Sequence, residues 1–534
     1  MKANCLPFSS IPHTAPLFLD FLYHFDKVRD FYARPPAIAD WWQDEQQRIQ
    51  CSQDRRQQVA AVLERQNRSL GAGAKTLENI QRLKEGAPVV VTGQQVALFG
   101  GPMFVVLKAL TAVLLADRTG AVPVFWLATE DHDLAEVNFV HLPAADHLET
   151  FTTTPPHPEG APVGSIAFND EISSLLKRAE EQFGGSDMLG LLQKSYSPGE
   201  TFGSAFGKFY AQALTDSGIV FLNPSDPELH RIAAPVYRDS LLKWNEINDA
   251  LAQRQQELEK AGYSAQVKVT PSHTLCFYFQ RGVRLPVHHD PSGHNEFVIG
   301  EEKVRCEDLI DEAEQHPERF SANVLLRPIM QDYLLPTLCY AGGPSEIAYF
   351  AQVQVVYRKL LGRVTPVVPR ISATLVEPRQ AKLLDRYQMT LPELFRGPEK
   401  LREHVAGKAL PDGIMKSFDA AAEHLEQAIT LIRHPLEKLD STLLDAAENA
   451  GGKMRYQLQG LRDKAARAEA RKNSELQRHA DELSTMLYPN KNLQEREVGS
   501  AYFLLKYGPA VIRQLKEKLS AACLDHQLVE ITNQ

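Results

Sequence analysis

The stretch Val89-Val90-Val91-Thr92-Gly93-Gln94-Gln95-Val96-Ala97-Leu98-Phe99-Gly100-Gly101-Pro102 decides the reading of the fold. Residues 89–92 have the length and β-branching of a strand buried on both faces, as in a parallel sheet. Residues 93–102 then read as a glycine-bearing loop. Pro102 suits the first turn of a helix, where its missing N–H would be unpaired anyway. That helix is expected to run to about Asp117, with Thr119-Gly120 as its stop. Val122-Pro123-Val124-Phe125-Trp126-Leu127-Ala128 follows as a second buried strand. Strand, glycine loop, helix and strand within about 40 residues make a βαβ unit. It predicts a doubly wound α/β core.

Upstream, residues 40–85 are predicted helical, with Val59, Val62, Leu63, Leu70, Leu77, Ile80 and Leu83 apolar and Gly86-Ala87-Pro88 ending the segment. Downstream, residues 218–223 read as a short strand and residues 229–261 as helix. Residues 274–279 and 283–287 read as a hairpin around Arg281-Gly282. Residues 285–325 are expected to form an inserted, loop-rich subdomain. Residues 364–368 and 375–376 return to strand material, and a helix before them carries Ile347, Phe350, Val353, Val356 and Leu360. Residues 383–487 are charged and helical. Met454, Leu458, Leu461, Ala465 and Ala468 step by four, three, four and three, the spacing of a coiled coil. An antiparallel helical hairpin is expected there, punctuated by Pro435 and Gly451-Gly452. The expected division is 1–150 for the first part of the core, 151–320 for an inserted α+β region and 321–382 for the second part. Residues 383–487 would be the coiled-coil domain, and 488–534 a segment packing on the core.

The composition narrows the function classes. Of 534 residues, 43% are hydrophobic and 23% charged, enough apolar material for a sizeable core. A net charge of -9 gives no global field toward nucleic acid or an anionic membrane. The longest apolar stretch, residues 103–116, contains Lys108 and is too short to span a bilayer. Met1-Lys2-Ala3-Asn4-Cys5-Leu6-Pro7-Phe8 lacks a signal-peptide apolar region, so a cytoplasmic location is expected. Cys5, Cys51, Cys276, Cys306, Cys339 and Cys523 include no CxxC pair and read as reduced thiols, with no structural metal site.

Four segments could carry chemistry. The loop of Thr92, Gly93, Gln94, Gln95, Gly100 and Gly101 precedes a helix N-terminus, whose N–H groups suit an anion. It matches neither GxxxxGK[ST] nor GxGxxG. Thr129-Glu130-Asp131-His132-Asp133 follows a strand end, where ligands bind in open α/β sheets. Crowded carboxylates there can flank a histidine base or hold a cation. Asn138 is placed one helical turn beyond Leu134. Arg327 with Gln331 and Asp332 precedes Gly342-Gly343-Pro344, a second glycine turn before a helix, and Glu346 and Tyr349. Pro369-Arg370-Ile371-Ser372 reads as a loop after a strand, where Arg370 and Ser372 could meet a phosphate. His288-His289-Asp290-Pro291-Ser292-Gly293-His294 reads as a hairpin-end turn and not a metal site. Lys472-Asn473-Ser474-Glu475 reads as a solvated helix face.

These motifs resemble those of the bacillithiol biosynthesis cysteine-adding enzymes. The resemblance rests on residues 91–102, residues 123–133 with Glu136 and Asn138, and Leu326-Arg327-Pro328 with Gln331-Asp332. It extends to residues 341–349 and to Pro369-Arg370 with Ser372. It implies a Rossmann-like core similar to class I aminoacyl-tRNA synthetases, with connecting insertions and a coiled coil that forms a homodimer. The implied activity is a ligase that adds cysteine, or a cysteine donor's cysteine, to glucosaminyl-malate, with ATP and Mg²⁺ as the cofactors in question. On this reading Glu130, Asp131, His132 and Asp133 are catalytic, with His132 as general base held by Asp131 or Asp133. N–H groups of the Gly93 or Gly342-Gly343 loops would meet oxyanion charge, and Arg327 or Arg370 would hold malate carboxylates or a phosphate. Two other functions fit the residues: another amino-sugar acyl- or nucleotidyltransferase, or a non-catalytic nucleotide-binding dimer.

Overall fold

The computed structural model describes residues 4–39, 41–144, 147–290, 292, 295–408, 410–472 and 474–532. Met1-Lys2-Ala3, Pro291, Gly293 and His294 of the histidine-rich turn, and Asn473 lie outside the described residues. Five parallel strands form the central sheet: β1 (Val89–Gln95), β2 (Val122–Ala128), β3 (Val220–Leu222), β4 (Thr337–Gly342) and β5 (Val367–Pro369). Their order is β5-β4-β1-β2-β3. The chain moves outward from β1 to β3, then returns to the other side of β1 for β4 and β5. That is the doubly wound arrangement predicted from the βαβ unit. The strand order reverses between β1 and β4, and a crevice opens at such a reversal.

The predicted 40–85 segment is three helices: Trp41–Arg48, α1 (Gln53–Ser69) and Ala74–Glu85. Ser52 caps α1 by accepting from the Arg55 N–H at 3.3 Å. The crossover helix α2 (Phe104–Thr119) is buried on nearly every side and stops at Gly120, which takes the left-handed conformation (φ 71°). Two further helices, α3 (Arg327–Leu334) and α4 (Pro344–Leu360), flank β4.

Several expectations are corrected. Gly93, Gln94 and Gln95 are strand and not loop, paired with Trp126, Leu127 and Ala128. Glycine is needed at position 93 because a Cβ there would stand 2.8 Å from the Trp126 carbonyl oxygen. Residues 285–325 are not loop-rich. Strands Glu302–Arg305, Glu296–Ile299, Val283–His289, His273–Gln280 and Phe320–Ala322 pair, in that order, as an antiparallel sheet. Gly300-Glu301 is a two-residue hairpin turn with Gly300 at φ 59°, a cue passed over in the sequence. Of residues 369–374 only Arg370-Ile371 form a connection, between the end of β5 at Pro369 and the start of strand Ser372–Val376. That strand joins Asn4–Leu6 and His526–Glu530 in a three-stranded sheet. The pairing of the chain ends brings Cys5 beside Cys523, with Cα atoms 7.3 Å apart. Cys51, Cys276, Cys306 and Cys339 are free. Asn138 is not helical, because the 3-10 turn Leu134–Glu136 ends before it and a strand starts at Phe139.

The chain divides into two compact units. One comprises Met1–Leu142, Glu149–Thr374 and Glu495–Gln534; the other comprises Pro143–Leu148 and Leu375–Gln494. In the second, α5 (Asp412–Leu439) and α6 (Leu443–Lys472) form the antiparallel hairpin. Pro435 lies within α5 and Gly451-Gly452 within α6, so neither marks the turn. The turn is Asp440-Ser441-Thr442, where Asp440 Oδ1 accepts from the Thr442 N–H at 2.9 Å. Among the described residues no helix is long and apolar enough to cross a membrane.

Candidate active site

A cavity of about 740 Å³ opens where the strand order reverses, beyond the carboxyl ends of β1 and β4. Its volume is that of a small-molecule site. Its two ends differ in charge. Glu130, Asp131 and Glu136 follow β2, whereas Arg327, Glu346, Arg370 and Arg496 gather around β4 and β5. With β1 between them, the two groups stand about 10 Å apart across the sheet.

At the acidic end, Gln95 Nε2 donates to Asp131 Oδ2 and Glu136 Oε2, both at 2.7 Å, so one amide gathers two carboxylates. Glu130 is only 7% exposed, and its Oε1 accepts no hydrogen bond. His230 Nε2 stands 3.1 Å from that oxygen, out of hydrogen-bond alignment. The His230 ring is stacked on Tyr237, with Nδ1 3.2 Å from its hydroxyl, and the hydroxyl donates to Met330 Sδ. The inserted sheet contributes Arg284. It donates to Ser321 Oγ (2.8 Å) and the Ala322 carbonyl (2.7 Å) and lies over Phe277, 3.9 Å from the ring centre.

Arg284 also fixes the state of His132. Its Nη1 is 3.2 Å from His132 Nδ1. A guanidinium can only donate, so Nδ1 is the unprotonated nitrogen and the neutral ring carries its proton on Nε2. The remaining nitrogen therefore offers an N–H and no lone pair. Asp131 Oδ1 is 3.9 Å from Nδ1, too far for the support expected of it. His132 and Asp133 are exposed and form no part of the cavity wall. This geometry works against His132 as the base.

At the basic end, Lys108 is 4% exposed and uses all three donors, to the Gly93 carbonyl (2.7 Å), Gln94 Oε1 (2.9 Å) and Glu346 Oε2 (2.6 Å). Burial pushes its ammonium below the usual range, against the pull of Glu346. Burial alone would raise the Glu346 carboxyl, but Lys108, the Gly343 N–H and the Tyr340 hydroxyl together hold it low. Arg327 donates to Tyr349 (2.8 Å) and Gln331 (3.1 Å) and lies over Tyr340. Arg370 donates to Glu495 (2.7 Å) and the Ile371 carbonyl (2.8 Å). Arg496 and Lys268 are exposed at the cavity mouth, and among the described residues neither makes an ion pair.

The cavity thus brings together Gly93, Gln94, Gln95, Glu130, Asp131, Arg327, Gly343, Glu346, Tyr349 and Arg370. Thr92 is elsewhere, tying β1 to the Ala341 carbonyl. The Gly100-Gly101 turn faces inward: the Gly100 N–H donates to Tyr196 and its carbonyl accepts from Tyr210, so neither is free for an anion. Asn138 donates toward Thr154 at 3.5 Å, outside the wall. Gln331 is fully buried beneath Arg327, Asp332 faces the other side of α3, and the Gly342 carbonyl accepts from the Arg370 N–H. Lys108, Arg284, His230 and Arg496 were missed from the sequence. Only Lys108, a lone charge in an apolar helix, left a readable trace.

Ser372 is 3% exposed and serves a buried network. His526 bridges Ser372 Oγ (2.7 Å) and Thr374 Oγ1 (2.8 Å), and Glu495 accepts from Ser372, the Ala373 N–H and Arg370. Burial pulls His526 down to about 4 from an ordinary 6.5. Below pH 6.5 the unfolded chain therefore binds a proton that the folded chain refuses. Stability held above pH 6.5 falls as the pH drops toward 4, by about 3 kcal/mol. Urea unfolding across this range should show a shallower acid loss for His526→Gln than for the wild type.

Comparison with known proteins bears on this site. Residues 1–371 match the family described as the bacillithiol biosynthesis BshC N-terminal Rossmann-like domain. Residues 373–531 match the bacillithiol biosynthesis BshC C-terminal coiled-coil domain. A protein of Koribacter versatilis is 44% identical over 543 residues, covering 99% of this chain and 100% of its own length. One from Solibacter usitatus is 34% identical over 541 residues, with 99% and 100% covered. One from Bacillus licheniformis is 29% identical over 469 residues, with 85% and 87% covered. Each bears the name "Putative cysteine ligase BshC".

Proposed function

This chain belongs to the bacillithiol biosynthesis BshC family, and on that premise we propose that it is a ligase that joins the carboxyl group of cysteine to the amine of glucosaminyl-malate, the last step of bacillithiol synthesis. The observation that carries the reading is the division of charge along one cavity. The acceptor substrate has an amine at one end and two malate carboxylates at the other, and the acidic and basic ends match them.

In the mechanism, the amine enters as an ammonium beside Glu130. The Glu130 carboxylate takes its proton, the nitrogen lone pair attacks the activated cysteine carbonyl carbon, and the group that activated the carboxyl would leave as the amide forms. His230, with Nε2 3.1 Å from Oε1, packs against the carboxylate from the side away from the substrate. Negative charge developing on the carbonyl oxygen meets Arg284. The Gly343 N–H is unavailable for that role because it donates to Glu346 at 2.7 Å. Arg496, beside Arg370, receives the malate carboxylates. ATP with Mg²⁺, when bound, supplies the activation of the cysteine carboxylate. The donors fit it: Asp131 and Glu136 offer hard oxygens for Mg²⁺, and Lys268 a cation for phosphate. The protein acts in the cytoplasm on this reading.

Arg496→Gln should raise the KM for glucosaminyl-malate about tenfold and leave kcat within about twofold, since a binding charge is lost and the reacting groups stay. Steady-state assays check this, and an unchanged KM would remove Arg496 from the site. The coiled coil supports a homodimer. Met454, Leu458 and Leu461 of the stepped run line an open apolar groove with Ala421 and Leu425. Met454 is 48% and Leu461 57% exposed in the single chain. Light scattering should give twice the 59.8 kDa chain mass, and Leu461→Asp should shift it toward one.

A further inference from the structure

A second cavity of the same unit lies by the amino ends of β4 and β5. It measures about 920 Å³ and is walled by the loop entering α1, by α3, by the last turns of α4 and by the loop leading to β5. The proposed reaction makes no use of it. Its charge is unbalanced. Arg48, Arg55, Arg358 and Arg363 line it, against Glu45 and Asp332. Both carboxylates are committed. Glu45, 2% exposed, holds Arg34 at 2.9 Å and Arg48 and Arg363 at 3.4 Å. Asp332 accepts from the Tyr357 hydroxyl and from Gln331. Among the described residues no carboxylate pairs with Arg55 or Arg358. Arg55 is laid on the Tyr333 ring, 4.3 Å from its centre, which orients its guanidinium at the wall.

Unpaired polar atoms are the second observation. Arg55 Nε and Arg363 Nε are buried and donate to nothing, and the Gln354 side chain, 3% exposed, has an unpaired Oε1 at the same wall. A buried donor without an acceptor is costly, and buried polar groups are ordinarily satisfied. Arg55 and Arg358 have no carboxylate partner, and Arg48 and Arg363 share one that is already crowded, so this wall calls for a ligand that only accepts and is negatively charged. Guanidinium forks match the oxygen pairs of phosphoryl and carboxylate groups. The volume is that of a metabolite site and exceeds a bare ion.

We propose that this cavity binds a multiply charged oxyanion group, phosphoryl or polycarboxylate, carried on a small metabolite. Gln354 would accept from a hydroxyl or amide of the same molecule. The site is separate from the switch-point cavity and lies beyond the proposed ligase reaction.

Equilibrium dialysis of the full chain with labelled pyrophosphate and, separately, labelled citrate at constant ionic strength tests it. Three proteins are compared: wild type, Arg55→Gln/Arg358→Gln and Arg496→Gln. The first variant breaks no ion pair, and circular dichroism verifies its fold. The expected result is a saturable component weakened tenfold or more in the double variant and retained in Arg496→Gln. Preference for pyrophosphate marks a phosphoryl ligand, and preference for citrate a polycarboxylate. Binding unchanged in the double variant, binding lost only in Arg496→Gln, or no saturable binding of either probe by the wild type would overturn the proposal.

Discussion

Glu130→Gln protein is expected to keep its fold and lose about 10²- to 10⁴-fold of its turnover, the range removed with a general base. The substitution preserves shape and removes the buried carboxylate that lines the cavity beside His230. An amide cannot take the ammonium proton, so the amine would remain a non-nucleophile. KM for glucosaminyl-malate should change far less than kcat, because Arg496 and its surroundings are untouched. His132→Gln is the contrasting variant. Its Nδ1 already accepts from Arg284 and its ring lies outside the wall, so it should lose less than about tenfold. If His132→Gln fell as far as Glu130→Gln, the base would have to be reassigned.

The second large effect is on stability. Lys108→Met should destabilise the protein by about 3–5 kcal/mol, the cost of leaving the partner of a buried ion pair uncompensated. Glu346 would keep its carboxylate under Tyr340 and beside Gly343 with its cation gone, and the Gly93 carbonyl and Gln94 would each lose a donor. The double variant Lys108→Met/Glu346→Gln should recover part of that loss, because no unpaired charge is left behind. Chemical denaturation of the four proteins of the cycle measures the coupling. Equal losses in the single and double variants would mean that the pair contributes through packing and not through charge.

The core was legible because its residues obey local rules. Residues 122–128 are apolar throughout, as a strand covered on both faces must be, and they form β2 over that range. The stepped apolar residues from Met454 onward lie on the long helix of the hairpin, as their spacing required. Local rules also misled. Gly93 looked like a loop residue, but it is a strand residue whose missing Cβ lets β1 lie close to β2. Gly100 and Gly101 looked poised for an anion, but Tyr196 and Tyr210, about 100 residues away in the chain, had already claimed the backbone of Gly100. Nothing near position 100 could reveal that.

The site itself was half legible. Glu130, Asp131, Arg327 and Glu346 stand at strand ends, where the sheet topology puts function. Arg284 and His230 come from segments with no motif, and their roles exist only through distance in space. Arg284 decides which nitrogen of His132 is protonated, so the chemistry of the most conspicuous histidine was set by a residue 152 positions away.

The most direct measurement is mass spectrometry of a reaction containing this protein, cysteine, glucosaminyl-malate, ATP and Mg²⁺. The proposed function predicts a product with the mass of cysteine plus glucosaminyl-malate less one water, formed with the wild type and nearly absent with Glu130→Gln. Both substrates recovered unchanged with the wild type, or product formed equally by Glu130→Gln, would contradict it.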